Sequence, residues 1–375
     1  MRILWVGKAP EDERAGDEVF DRRTIAALRA RGHAVALWHP RRLGRLRQVL
    51  NRLRGVPHYR TWFEDAANRS ALAAAAAAQD AVIVSWEPLD GLRPSGPVPA
   101  LLVLHNVTSR SLRSIFPRNP LARILAAGAA RWERATYRPD RWAAIATLAK
   151  ADDAHVRALP ARPHTLLTIP GMPPLAPLAP DAMLRAELVV AGTFDWRPKR
   201  RDLLRFARDY AALPVRLPVR GEGWPAEIER LLPPLPPPTA EEIADGIRFG
   251  IVTDRFEAGH KLKTLAHIAA NQVVLSFAEV GADIAEIPDH RFFLRRIATA
   301  ADIPAHVAEL AAMDPALLRQ RLAEFKRRCA ARFTWDAVAG TLEQALLADR
   351  PASAPAAATS PASHPPIGRS ARAGA

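Results

Sequence analysis

Cations and a glycine gather in one short segment, Glu257-Ala258-Gly259-His260-Lys261-Leu262-Lys263, and that combination suits an anionic ligand. Gly259 permits close approach of backbone, and Lys261 and Lys263 supply charge. A helix starting here would aim its first amides at the same point. A second basic group, Arg197, Lys199, Arg200 and Arg201, follows Gly192. Cations at a helix start oppose its dipole, and an anionic partner would offset that cost; the alternative is a solvated helix start. His105, with Asn106 beside it, ends an apolar run. Its imidazole can donate a hydrogen bond or share developing charge, unless it is a satisfied structural residue. Gly16, followed by Asp17, opens a loop where backbone can come close to a ligand, or where the chain simply turns.

Short apolar runs alternating with amphipathic stretches would position these residues. Ile3–Val6, Ala34–Trp38, Ala81–Val84, Ala100–Leu104 and Ala143–Ala146 read as strands. Helical patterns lie between them, at Ala71–Gln79, Leu121–Tyr137 and a segment ending at Ala158. Continuous apolar strands between amphipathic helices predict a parallel sheet covered on both faces. A Pro-punctuated stretch, 169–184, cannot hold a helix or central strand and reads as a linker. The pattern then restarts, with strands at Glu187–Ala191, Val215–Pro218, Ile247–Val252 and Val273–Phe277, and helices at Arg200–Leu213 and Lys263–Ala270. Helices over Pro304–Leu347 close the second unit. The expected layout is α/β: one doubly wound domain over 1–168, another over 185–349, and an Ala/Pro/Ser-rich tail, 350–375, too poor in apolar bulk to fold. Two such units leave a cleft faced by strand C-ends, where His105 would sit.

Composition narrows the partners. Hydrophobic residues make up 49% and charged residues 25%, the profile of a globular chain. No apolar run is long enough to span a bilayer, and the N-terminal run is too short for a signal peptide. The lone Cys329 excludes an internal disulfide and a Cys-based metal site, and a reducing cytoplasm is expected. The net charge of +14 is concentrated early: residues 1–165 hold 27 Lys+Arg against 15 Asp+Glu. No zinc-finger spacing or RNP-like segment accompanies it, so nucleic acid is not the expected partner. Arg41–Arg60 holds seven Arg and no acid, with Leu43, Leu46, Leu50 and Leu53 at helical spacing. Such a helix can lie on an anionic membrane surface, with Trp62 and Phe63 as anchors; the alternative is a core-facing stripe. Neither GxGxxG nor GxxxxGK[ST] is present. No loop carries Asp-x-Asp, and Asp152-Asp153 reads as a solvated helix face, so no metal is expected.

Four segments together resemble the group-1 (family 4) glycosyltransferases of the GT-B fold, in particular the bacterial surface-polysaccharide branch. They are Ala15-Gly16-Asp17-Glu18 with Arg31-Gly32-His33; Leu104-His105-Asn106-Val107; Gly192-Thr193-Phe194-Asp195-Trp196-Arg197-Pro198; and Glu257–Lys263 before its helix. The resemblance implies a metal-independent, retaining transfer from a nucleotide-sugar to a glycan or lipid-linked acceptor, with no cofactor. It implies that His105 is catalytic and lies beside the transferring sugar. Arg197, Lys199, Glu257, Gly259, Lys261 and Lys263 would bind the donor. Gly16, Asp17 and Asn106 would form the acceptor and phosphate loop. The donor's own phosphate would take the acceptor proton. One departure stands out: the family's ribose-binding Glu, three residues after the Lys, is Ala266 here. That leaves a non-catalytic binding or assembly protein, or an epimerase of the same fold, as alternatives. The implied location is cytoplasmic, peripheral at the inner membrane face.

Overall fold

A computed structural model describes residues 1–8, 16–57, 59–93 and 98–349; the tail 350–375 lies outside them. The first unit runs β1 (Arg2–Val6), α1 (Gly16–Ala30), β2 (Ala34–Trp38), α2 (Arg45–Leu53), α3 (Ala66–Ala76), β3 (Ala81–Ser85) and β4 (Ala100–Leu104). It continues with α4 (Thr108–Ile115), α5 (Pro120–Thr136), β5 (Ala144–Thr147), α6 (Lys150–Arg157) and β6 (Thr165–Leu167). All six strands are parallel, in the order β2-β1-β3-β4-β5-β6. β3 and β4 are buried along their whole length, which is why they read as unbroken apolar runs. Helix starts carry fitting caps: the Asp65 side chain accepts from Asn68 N–H at 2.7 Å, and Asn119 caps α5 ahead of Pro120.

The second unit runs β7 (Met183–Val189), α7 (Arg197–Ala211), β8 (Val219–Arg220), α8 (Ala226–Glu229), α9 (Ala240–Asp245), β9 (Gly246–Val252), α10 (Leu262–Ala269) and β10 (Gln272–Ser276). Then come α11 (His290–Phe293), β11 (Leu294–Arg296), α12 (Ile303–Ala311), α13 (Pro315–Arg332) and α14 (Trp335–Ala348). Its five parallel strands take the order β11-β10-β9-β7-β8. The expected strand Val215–Pro218 is instead a loop, pinned where Tyr210 Oη contacts Leu217, and β8 forms just after it.

The last helix does not stay with this unit. α14 buries Val338, Leu342 and Leu346 against Phe20, Ile25 and Leu28 of α1. The chain therefore crosses between units twice, at 169–182 and near 333–335. The crossings lie side by side: Met172 N–H donates to Phe333 O at 2.8 Å. Gly171 leaves no room for more, since a Cβ there would fall 2.5 Å from the Trp335 ring.

Candidate functional site

β4 delivers His105 to the C-terminal edge of the first sheet, 7% exposed. Its Nε2 lies 2.9 Å from Ser85 Oγ at the end of β3, and Ser85 donates in turn to Asp21 on α1. Ser85 has one hydroxyl proton and gives it to Asp21, so the Nε2–H of His105 donates to Ser85 Oγ. Among the described residues Nδ1 has no hydrogen-bond partner, which leaves it for a ligand. Burial opposes the imidazolium, but Asp21, 3.5 Å away, together with Asp17 and Glu87, holds its pKa above the ordinary 6.5. The Phe20 ring packs edge-on at 5.3 Å and fixes the orientation. At the start of α1, Asp17 pairs with Lys8. Burial would raise the Asp17 carboxyl, yet Lys8 and His105 hold it below the usual range.

The second unit presents three lysines around one buried carboxylate. Asp254, 0% exposed, sits just past β9, and Lys263 Nζ approaches it to 3.1 Å. Burial alone would raise Asp254, but Lys263, Lys261 and Lys199 hold it down. Burial pushes Lys261 down to about 8 and also lowers Lys199, each further depressed by the other cations. Asp254 is the nearest counter-charge for all three; Asp152 and Asp17, which add to it at Lys261 and Lys199, are already paired with Arg110 and Lys8, so positive charge remains in excess in a partly dry site. Gly192, at φ 122°, leaves the space beside Lys263 open.

The two halves meet at the Glu257–Lys263 turn. Gly259, at φ 62°, lies so close that a Cβ there would fall 2.4 Å from both His105 O and Asn106 Oδ1. A Cβ on Gly16 would come within 3.1 Å of Leu262, at the start of α10. Thus Gly16, Asp17, His105, Asn106, Gly259, Lys261, Lys263 and Lys199 share one cleft. Arg197 and Glu257 are not brought in: Arg197 is exposed, and Glu257 turns outward to Arg296 at 3.4 Å. Lys199 lies inside the first turn of α7 rather than ahead of it. Ala266 is on the exposed side of α10.

The structure overturns the solvated reading of Asp152-Asp153. Both side chains are buried in the first turn of α6. Asp152 accepts from Arg110 at 2.6 Å and, across the cleft, from Gly259 N–H at 3.0 Å. A carboxylate pair in a helix's first turn was the available signal, because that is where anions are favoured. Lys150 adds a second clasp, donating its N–H to Asp283 at 2.8 Å and pairing with Glu286 at 2.6 Å. Ser85, Asp21 and Lys8 carried no local signature; only the strand order brings them beside His105.

The basic segment departs from the core-facing expectation. α2 packs through Asn51, which donates to Glu64 O at 2.7 Å, while Leu46 and Leu53 are 76% and 80% exposed. Leu43, ahead of the helix, is buried, but the leucines of α2 itself do not face the core. Arg60 lies off the helix, buried with Asp90.

No family model matches the chain, and no curated protein matches its sequence. Solved structures do. Trehalose 6-phosphate synthase from Burkholderia multivorans is similar at a TM-score of 0.55 and 13% identity, over 92% of this chain and 98% of that one. The trehalose-6-phosphate synthase OtsA gives 0.55 and 13%, over 92% and 99%. TarM gives 0.52 and 11%, over 74% and 58%. These neighbours, at such identities, speak to architecture, and the chain has the GT-B glycosyltransferase fold: two parallel α/β units facing across a cleft.

Proposed function

We propose that the chain is a metal-independent, retaining glycosyltransferase that moves a sugar from a nucleotide-sugar onto a glycan or lipid-linked acceptor in surface-polysaccharide synthesis. The observation that carries this reading is the lysine cluster Lys199, Lys261 and Lys263 gathered at Asp254, beside the turn whose Gly259 packs against His105 O. Group transfer from a nucleotide-sugar releases a diphosphate, and fixed cations aimed at it stabilise the departing charge. His105 contributes a hydrogen bond at the transferring sugar, and the donor phosphate takes the acceptor proton. The second unit holds the nucleotide and the first receives the acceptor. By its sequence resemblance the chain falls with family 4. Ala266 in place of a ribose-binding Glu favours one other reading, a non-catalytic binding protein on the same fold.

Nucleoside-diphosphate titration by calorimetry tests the donor site. Lys263→Ala weakens UDP or GDP binding by about 10- to 100-fold, the loss of one charge-assisted hydrogen bond, while the exposed control Arg327→Ala leaves it unchanged. Lys261 also sets a pH dependence. A bound diphosphate raises its pKa above the free value of about 8, so binding takes up a proton and affinity falls as pH rises past 8. Equal affinities for the two variants would remove the lysines from the donor site. A nucleotide-sugar panel, read by hydrolysis or transfer, separates the enzyme from the binder.

We also propose that α2 rests on an anionic membrane at the inner face of the cell membrane. The exposed Leu46, Val49, Leu50 and Leu53 beside Arg45, Arg47, Arg52 and Arg54 support this reading. No helix among the described residues is long and apolar enough to cross a membrane. Replacing the four arginines by Ser reduces co-sedimentation with phosphatidylserine vesicles by about fivefold per charge at low salt. A wild-type chain that never pellets with such vesicles sinks the idea.

A further inference from the structure

Directly after Ser85, the chain takes a turn that its side chain does not favour. Trp86 has φ 101°, a region that bulky residues essentially avoid, and such strain persists only where the surroundings impose it. Its N–H donates to Val103 O at 3.1 Å, and Lys8 Nζ sits 4.4 Å over its ring. The turn delivers Glu87, the first residue of a short 3-10 turn ahead of Pro88, beside the His105–Ser85 pair. Glu87 is half-buried, and its Oε2 is fully buried with no hydrogen-bond partner among the described residues. A buried carboxylate oxygen left unpaired in a native site calls for a donor that the described residues do not supply. Burial raises the Glu87 carboxyl, and His105 partly offsets this.

Two aromatic rings stand nearby, one from each unit. Tyr59 is 37% exposed, feels the Glu87 charge, and is hydrogen-bonded by Trp196 from the far side of the cleft. Trp196 is itself 42% exposed and braced edge-on by Phe256 at 5.2 Å, while Trp62 braces Tyr59 at 5.3 Å. Exposed, braced rings offer apolar area at little entropic cost, and they bury the C–H faces of a sugar ring well. Asp17, Asp21 and Glu87 put three carboxylates around His105, which disfavours a second anion there.

We propose that Glu87 is an acceptor-binding residue, its carboxylate taking a hydrogen bond from an acceptor hydroxyl, and that the acceptor is an uncharged sugar ring seated against Tyr59 and Trp196. This rests on the glycosyltransferase reading above. The test uses the full chain with UDP-glucose, UDP-N-acetylglucosamine and GDP-mannose as donors, and methyl glucoside, mannoside and galactoside as acceptor probes. Glu87→Gln raises the acceptor KM about tenfold or more, with the donor KM within twofold. Tyr59→Ala, a change at a half-exposed ring, moves the same parameter in the same direction. An unchanged acceptor KM in Glu87→Gln, or equal rises in donor and acceptor KM, would overturn the assignment. So would sugar 6-phosphates outcompeting the neutral probes, or a wild-type chain that hydrolyses donor yet glycosylates none of them. A wild-type chain that neither binds nucleoside diphosphates nor hydrolyses any donor instead defeats the glycosyltransferase reading itself.

Discussion

His105→Ala lowers turnover by about 10²-fold or more, the usual contribution of a positioned acid–base or hydrogen-bonding group. Nucleoside-diphosphate affinity stays within about twofold, because the cations proposed to hold it belong to the other unit. The raised pKa of His105 adds a pH signature. The imidazolium is kept by Asp21, Asp17 and Glu87, so turnover that depends on it is full at low pH and declines as pH rises through a value above 6.5. In Ser85→Ala or Asp21→Asn that limb moves toward lower pH. A structural histidine behaves differently: its loss lowers the melting temperature while the surviving folded protein keeps its turnover. A well-folded His105→Ala protein with full transferase activity would end the assignment. Melting, diphosphate affinity and turnover on the same preparation separate the outcomes.

The largest stability effect is expected at Asp90. Arg60 and Asp90 are 1% and 0% exposed and bind through two parallel contacts, Nε to Oδ1 at 2.7 Å and Nη2 to Oδ2. Trp132 Nε1 donates to the same carboxylate at 2.9 Å. Asp90→Ala leaves a guanidinium buried without its counter-charge, at a cost of about 3–5 kcal/mol. Against a total stability of about 5–15 kcal/mol, that brings the chain near its unfolding threshold. Replacing both partners, as Arg60→Met with Asp90→Leu, restores most of the loss because no charge remains to be desolvated. Denaturant unfolding measures both. A loss below about 1 kcal/mol for Asp90→Ala would show that water reaches the pair.

The legible parts of the chain were those where local pattern and tertiary role agree. The Ala100–Leu104 run gave a strand with those same ends, since both its faces are buried and every position is apolar. Its position then placed His105 at the cleft. Strands of three residues, Thr165–Leu167 and Leu294–Arg296, offered no such run, being edges paired on one side only. At α2 the pattern left two readings open, a membrane-facing stripe or a core face, and the structure removes the core face: the helix is held by Asn51 and its leucines are exposed. The Asp152 clasp was hidden for another reason. Its partner Gly259 lies 107 residues away, and neither residue reads as a contact until both sheets are assembled. Ser85, Asp21 and Glu87 were unreadable in the same way, because β3, α1 and β4 converge only through the strand order β1-β3-β4.

The return of α14 to the first unit has a consequence for synthesis. Domains commonly fold in order as they leave the ribosome, the first before the second is made. Here one side of the first sheet is covered by Val338, Ala339, Leu342, Ala345 and Leu346, the last described helix of the chain. During translation the first unit waits, its Phe20 and Leu28 side uncovered, until the second has been made. Premature termination anywhere before α14 thus strips apolar cover from the opposite end of the polypeptide, and the truncated product exposes the surface that chaperones and proteases engage.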